Sequence, residues 1–309
     1  MSTEPSSGGS VVSIGVFDGV HRGHRVVLSV ARAEADARGV PLIVVTFDPH
    51  PMAVLRPDSA PVPLATVVQR VHLLEEAGVD RVDVLTFDQA LSHLTPEEFV
   101  DHVLVDREHA QCIVVGENFR FGRGAAGGVA DLAALGVARG FTVRPVALEA
   151  DAAGAVSSTR VRSLVDEGNV DEAARALTRP HRVEGIVVHG DHRGRELGYP
   201  TANLGVTGRP SIPADGVYAA WLIVEPYQAH SQRWPAAVSV GTNPTFDEVP
   251  RRVEAYAIDA GNDLDLYGQH VAVDFVSRLR SMHAFDSIDA LIAQMDLDVS
   301  QARELLASR

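Results

Sequence analysis

Two histidines separated by one arginine and one glycine, His21-Arg22-Gly23-His24, stand where a short apolar run gives way to a helical pattern. Paired imidazoles at a helix start can donate hydrogen bonds to oxygens on which negative charge builds, as on a phosphorus centre under attack. The helix start adds unpaired backbone N–H groups and a partial positive charge, which favour an anion there. Gly23 lets a phosphate come close to the backbone. The wider string runs from Gly15 through Phe17, Asp18 and Gly19 to His24. A metal is the rival use for the pair, but two imidazoles are one or two ligands short of a zinc set. Downstream, Ser157, Ser158, Thr159, Arg160 and Arg162 put three hydroxyls and two guanidinium forks at the start of another helical stretch. That set suits a leaving pyrophosphate, although alone it also reads as a plain helix cap.

A second cluster follows. Gly185, Gly190, Gly194 and Gly198, with Arg193 and Arg195 among them, can wrap a polyphosphate with backbone N–H donors. Pro200-Thr201-Ala202-Asn203 then presents a hydroxyl and an amide oxygen. Mg²⁺ suits such hard neutral oxygens and keeps phosphate and water in its remaining positions.

The composition narrows how phosphate can be held. All 27 Lys+Arg residues are Arg, so there is no lysine anywhere in the 309 residues. That excludes the P-loop lysine, the strand lysine of common protein kinases and Schiff-base chemistry. A net charge of −14 and a pI near 5.3 argue against a nucleic-acid-binding face and a polybasic membrane patch. The single cysteine, Cys112 in the run CIVV, allows no internal disulfide and reads as a small buried hydrophobe in a reducing compartment. No apolar stretch reaches the length of a membrane span. Residues 1–10 lack the marks of a secretory signal and read as a short disordered tail.

The elements that must position these residues are legible as two grammars. From Val11 the pattern alternates. Apolar runs at Val11–Phe17, Val40–Phe47, Val82–Phe87, Cys112–Val115 and Phe141–Val146 are interleaved with helical stretches. These are about His24–Arg38 closed by Gly39, Thr95 to about Val105 behind a capping box, Val129–Arg139, Ser157 to near Gly168, and Asp171–Leu177. Such alternation predicts a doubly wound parallel sheet. After Pro180 short β-like runs follow one another, Val183–Val188, Val217–Val224, Ala236–Val240, Val253–Ile258 and His270–Val276, which predicts a small all-β barrel or sandwich. An amphipathic helix, Ser287–Ala307, closes the chain.

The string G-x-F-D-G-x-H-x-G-H resembles the signature of the H-x-G-H nucleotidyltransferases. More narrowly, the chain resembles the prokaryotic bifunctional riboflavin kinase/FAD synthetases over about residues 11–305. Thr46-Phe-Asp48-Pro49-His50-Pro51, Gly116-Glu-Asn118-Phe-Arg-Phe-Gly122, the Ser157–Arg162 segment, the G-R-x-L-G-x-P-T-A-N string, Ser239–Phe246 and Arg252-Val-Glu254-Ala-Tyr256 carry that likeness in order. The resemblance implies a Rossmann-like doubly wound nucleotidyltransferase domain at 11–180, then a small six-stranded β-barrel riboflavin kinase domain with a C-terminal helix at 181–309.

It implies two ATP-dependent steps, riboflavin to FMN and FMN to FAD, with Mg²⁺. Nucleotide and phosphate would lie against Gly15, Phe17, Asp18, Gly19, Gly23, Asn118, the Ser157–Arg162 segment and the glycine loop of Gly190, Arg193, Gly194, Arg195 and Gly198. The flavin would lie against Asp48–Pro51 and Asn118. His21, His24 and Arg160 would serve adenylyl transfer, Thr201 and Asn203 the metal, and Glu254 would be the general base. Asp48 and His50 also fit ordinary turn residues around two prolines. Tyr256 stands where relatives often carry His. Small-molecule partners, no nucleic acid, no membrane and a cytoplasmic location are expected, and transient self-association into a homo-oligomer is left open. The alternatives are a chain retaining only one activity, a non-catalytic flavin-binding regulator, or an H-x-G-H transferase acting on another phosphate.

Overall fold

A computed structural model describes residues 8–190, 198–206, 210–241, 251–261 and 264–308. The chain divides into two compact units. The first is built from residues up to Pro61 with Thr66–Ser158, and the second from Val62–Ala65 with residues from Thr159 onward.

In the first unit the strands are β1 (Ser10–Ile14), β2 (Leu42–Asp48), β3 (Arg81–Thr86), β4 (Ala110–Gly116) and β5 (Thr142–Val146), in the parallel order β3-β2-β1-β4-β5. Their near-continuous apolar runs follow from burial on both faces. The two-residue period sends Val11, Leu42, Val44, Cys112 and Val114 to one face, against Leu28, Ala31 and Ala35. It sends Val12, Ile14, Val45, Phe47, Ile113 and Val115 to the other, against Leu104 and Leu132. The helices here are α1 (Arg22–Arg38), α2 (Pro51–Leu55), α3 (Val67–Glu76), α4 (Gln89–His93), α5 (Pro96–Phe99) and α6 (Val129–Arg139). Gly39 ends α1 in the left-handed region at φ 66°, where only glycine is at ease.

The Thr95 capping box opens α5 as expected, but the helix continues as a π-helical stretch over Val100–Arg107. β1 starts at Ser10, inside the expected tail, because the Ser10 hydroxyl donates to the Glu108 carbonyl at 2.6 Å. β1 also stops short of the apolar run's end: Phe17 is buried without being in the strand.

At the opposite end of the sheet from the β1–α1 loop, Glu108 lies buried beside Asp83. Arg107 donates to Asp83 at 2.6 and 2.8 Å. Burial works against Asp83 ionising, but hydrogen bonds from Arg107 and Glu108 outweigh it and hold that carboxyl low. Burial, then Asp83, pushes Glu108 up to about 7 despite its ion pair with Arg81. Between the ordinary glutamate value and that raised one, the folded protein holds a proton the unfolded chain has lost. Stability therefore falls as pH rises through this window. Glu108→Gln is expected to flatten the dependence of Tm on pH between about 5 and 8 and to be the more stable protein at the upper end. Thermal melts of both proteins across that range check it, and parallel curves would refute it.

The second unit begins with α7 (Ser158–Asp166), whose first residue belongs to the first unit, and α8 (Val170–Leu177). Six antiparallel strands then close a barrel in the order β10-β11-β12-β9-β8-β13. They are β8 (His181–Val188), β9 (Ala202–Gly205), β10 (Gly216–Val224), β11 (Gln232–Gly241), β12 (Arg252–Ala257) and β13 (His270–Arg280). A two-strand hairpin, β6 (Ala150–Asp151) with β7 (Gly154–Ala155), precedes α7 in the first unit. The barrel interior is filled by Val183, Ala202, Leu204, Tyr218, Leu222, Val238, Val253, Ala255, Val273 and Phe275. α9 (Ile288–Ala307), capped by the Ser287 side chain, packs Ala302 and Leu306 against Ala219, Ile258 and Val276 on the barrel's outside. Closure settles the barrel-or-sandwich alternative. Among the described residues no helix is long and apolar enough to cross a membrane.

Candidate active sites in the sheet and the barrel

The strand order reverses direction beside β1, between β1 and β4, and the loops leaving the carboxyl ends of those two strands flank the crevice where open α/β sheets bind ligands. The β1–α1 loop carries the histidines. His21 is the N-cap of α1, and its Nδ1 accepts from the His24 N–H at 3.4 Å. A ring nitrogen that accepts carries no proton, so in the neutral ring the proton sits on Nε2. The two rings stack with centroids 3.7 Å apart, and the Phe17 ring meets His24 edge-on at 5.0 Å. Burial, then the neighbouring His21, holds His24 well below the ordinary histidine value. Its Nδ1 is buried and has no hydrogen-bond partner among the described residues.

The loop is tightly fitted. A Cβ on Gly23 would meet the His21 ring at 3.2 Å and the Val156 carbonyl at 3.4 Å, and one on Gly15 would meet the Phe17 ring at 3.3 Å. Asp18 is buried, and its carbonyl accepts from the Ser158 hydroxyl at 2.8 Å. Gly15, Phe17, Asp18, Gly23, His21, His24 and Ser158, contributed by segments some 140 residues apart, thus meet at one place. Gly19 lies within the same loop at φ 77°.

Ser157 directly precedes α7, and Thr159, Arg160 and Arg162 follow Ser158 through its first turns. Arg162 Nε donates to the Val62 carbonyl at 2.7 Å. Asp48 ends β2, and Pro49 leads into α2, whose N-cap is His50; His50 Nδ1 accepts from the Met52 N–H at 3.0 Å, with Pro51 in the first turn. Asn118 follows β4, and its Oδ1 lies over Gly116, where a Cβ would stand 3.1 Å away.

In the barrel, register does the assembling. Glu254 on β12 is directly opposite Asn203 on β9, and Ser239 on β11 is its other neighbour. Val253 and Ala255 point into the core, so the alternation puts Glu254 on the outer face of the wall. Asn203 shares that face, because Ala202 and Leu204 are the inward residues of β9. The Asn203 amide lies 3.5 Å from the Thr201 hydroxyl. A Cβ on Gly190 would come within 2.6 Å of Asn203 Oδ1, so glycine is needed for the approach. Gly198 occupies the left-handed region at φ 87°. Arg193, Gly194, Arg195 and residues 242–246 of the Ser239–Phe246 loop lie outside the described residues. Tyr256, two residues beyond Glu254, meets the Tyr199 ring edge-on at 5.1 Å; Tyr199 in turn donates to Asp296 on α9. Burial, then that bond to Asp296, pushes the Tyr199 hydroxyl up to about 12.

A family model described as FAD synthetase matches residues 3–160, and one described as riboflavin kinase matches residues 177–306. The bifunctional riboflavin kinase/FMN adenylyltransferase of Escherichia coli strain K12 is 35% identical over 96% of this chain and 92% of that protein. That of Pseudomonas fluorescens is 39% identical over 98% and 95%. The chain belongs to the bifunctional riboflavin kinase/FMN adenylyltransferase family. It is a transferase that carries both domains. The FAD synthetase match takes in the parallel sheet with the histidine pair, and the riboflavin kinase match takes in the barrel with Glu254 and Asn203. A crystal structure described as a macrolide-efflux protein from Streptococcus pneumoniae superposes with a TM-score of 0.86 at 34% identity, covering 96% of this chain and 95% of that one. The fold is therefore shared over nearly all of both chains.

Sequence reading missed Arg70, and it placed Thr46 only within the family-like 46–51 segment; both bond to the loop behind the histidines. Arg70 Nη1 and the Thr46 hydroxyl both donate to the Val16 carbonyl at 3.0 Å. The signal was an arginine four residues before Leu74 on the buried face of a helix.

Proposed function

We propose that the barrel converts riboflavin and ATP to FMN and ADP, and that the sheet unit converts FMN and a second ATP to FAD and pyrophosphate. Two side-by-side placements support this reading: Glu254 opposite Asn203 in the barrel register, and His21 stacked on His24 at the start of α1. In the first reaction the Glu254 carboxylate takes the proton of the ribityl 5′-hydroxyl as its oxygen attacks the γ-phosphorus and ADP leaves. The hydroxyl and amide oxygens of Thr201 and Asn203 fit a hard cation, and these residues would hold Mg²⁺. When bound, the ion neutralises charge on the phosphate oxygens. Gly190, Arg193, Gly194, Arg195 and Gly198 would wrap the nucleotide.

In the second reaction an FMN phosphate oxygen attacks the α-phosphorus and pyrophosphate leaves. The nucleophile is already anionic, so no base is required. His21 through Nε2–H, His24 as a neutral donor and the free N–H groups of the α1 start meet the charge that builds on the α-phosphoryl oxygens. Ser157, Ser158, Thr159, Arg160 and Arg162 are assigned the pyrophosphate, Gly15, Phe17, Asp18, Gly19 and Gly23 the nucleotide, and Asp48–Pro51 with Asn118 the flavin. Division of the chain near residue 180, a cytoplasmic location and small-molecule partners only, with no nucleic acid or membrane, belong to the same proposal. The −14 charge and lone cysteine support the last two points.

Incubating the full chain with riboflavin, ATP and Mg²⁺ and separating the flavins tests it. FMN is expected to appear first and FAD after it. Untouched riboflavin, or FMN that never becomes FAD, would defeat the two-step reading.

A further inference from the structure

The loop carrying the histidine pair contains three residues in the left-handed region, Phe17 at φ 52°, Gly19 at 77° and Val20 at 40°. Phe17 and Val20 bear side chains there, and such backbone persists only when its surroundings over-determine it. One buried cation contributes to that over-determination. Arg70, on α3 and 5% exposed, donates through Nη1 to the Val16 carbonyl at 3.0 Å and through Nη2 to the Phe47 carbonyl at 2.6 Å. Val16 is the residue before Phe17, and Phe47 is the residue before Asp48. The Val16 carbonyl takes a second bond from Thr46 at 3.0 Å, and the Asp18 carbonyl is held by Ser158. Burial disfavours the charge on Arg70, and the carboxylates of Asp18 and Asp48 favour it. Both residues were assigned above to substrate, Asp18 to nucleotide and Asp48 to flavin. One planar fork therefore ties the exit of β1 to the exit of β2, and with them the two substrate-bearing loops.

We propose that Arg70 is a positioning residue for adenylyl transfer, fixing the histidine loop against the Asp48–Pro51 segment so that nucleotide and flavin phosphate meet in line. The proposal rests on the FMN adenylyltransferase reading of the sheet unit. Arginine is required because its rigid guanidinium reaches two carbonyls at once, whereas the point charge of lysine reaches one well. In-line displacement is sensitive to such placement, and a misplacement of about 1 Å costs on the order of 100-fold in rate.

The test measures FAD formation from FMN and ATP, and FMN formation from riboflavin and ATP, in the same preparations of wild type, Arg70→Met, Arg70→Lys and Thr46→Val. Arg70→Met is expected to lower kcat for FAD formation by about 10–100-fold while KM for FMN and ATP stays within about threefold. Riboflavin phosphorylation stays at the wild-type rate and reports an intact barrel, while the unchanged KM for FMN and ATP reports a folded sheet unit. Arg70→Lys recovers part of the loss. If Arg70→Met loses both activities together, the decision passes to the milder pair. A reduced kcat for FAD formation with riboflavin phosphorylation intact supports the proposal, and wild-type kcat in both Arg70→Lys and Thr46→Val overturns it. A wild-type protein that makes no FAD overturns the adenylyltransferase reading itself. An active wild type whose Arg70 variants match it overturns the Arg70 assignment alone.

Discussion

Glu254→Gln is expected to stop the chain at riboflavin while FMN is still carried to FAD at the wild-type rate. Glutamine keeps the volume and a hydrogen-bonding oxygen but cannot take a proton. Removing a general base costs about 10²–10⁴-fold, so riboflavin phosphorylation falls by that factor. The alternation of β12 makes the result interpretable. Val253 and Ala255 fill the barrel and Glu254 lies outside it, so the substitution leaves the core untouched and thermal stability should move by less than about 1 kcal/mol. FAD formation from added FMN serves as the internal control. Riboflavin phosphorylation within about twofold of wild type would mean that another group takes the proton, since a twofold change is far below what a general base supplies.

How much of this was legible before the fold depends on sequence distance. The histidine site was readable because its chemistry is contiguous: Gly15 to His24 forms one strand exit and one helix start. The barrel site was half readable. Thr201 and Asn203 are neighbours, but their meeting with Glu254 is a matter of register between β9 and β12, and a one-residue slip would have sent Glu254 to the other face. β9 itself was hidden, because four residues directly after a glycine-rich stretch carry too little alternation to count as a strand. α3 announces itself only by the Thr66–Gln69 capping box, and Arg70 only by its place four residues before Leu74. Prolines at 57, 61 and 63 precede the helix and suggest a loop, and the buried face of α3 holds Gln69 and Arg70 as well as Leu74, which breaks the apolar period. A buried cation looks like noise in a hydrophobicity pattern until the carbonyls it serves are known. The π-helical stretch after Phe99 was unreadable for a different reason: a capping box announces a helix start but says nothing about how the hydrogen bonds run further on.

His24→Ala is expected to reverse the Glu254 result, with riboflavin still phosphorylated and FMN accumulating because adenylyl transfer falls by about 10²–10³-fold. The size follows from what the ring contributes. A neutral imidazole packed between His21 at 3.7 Å and Phe17 at 5.0 Å is a donor fixed before the reaction, so it pays no reorganisation when charge builds on the α-phosphoryl oxygens. Its neutrality has a second, independent readout. Burial and His21 place its folded pKa below the ordinary 6.5, whereas the unfolded chain takes up the proton near that value. The unfolded state therefore binds more protons as pH drops below about 6.5, and the stability His24 contributes above that point is lost on acidification. Wild type should lose Tm more steeply than His24→Ala between about pH 7 and 5. The adenylyl-transfer rate itself should show no His24 titration at 6.5. A wild-type kcat for FAD formation that halves near pH 6.5, together with parallel melting curves, would mean that the ring works as a cation, and that burial does not set its charge.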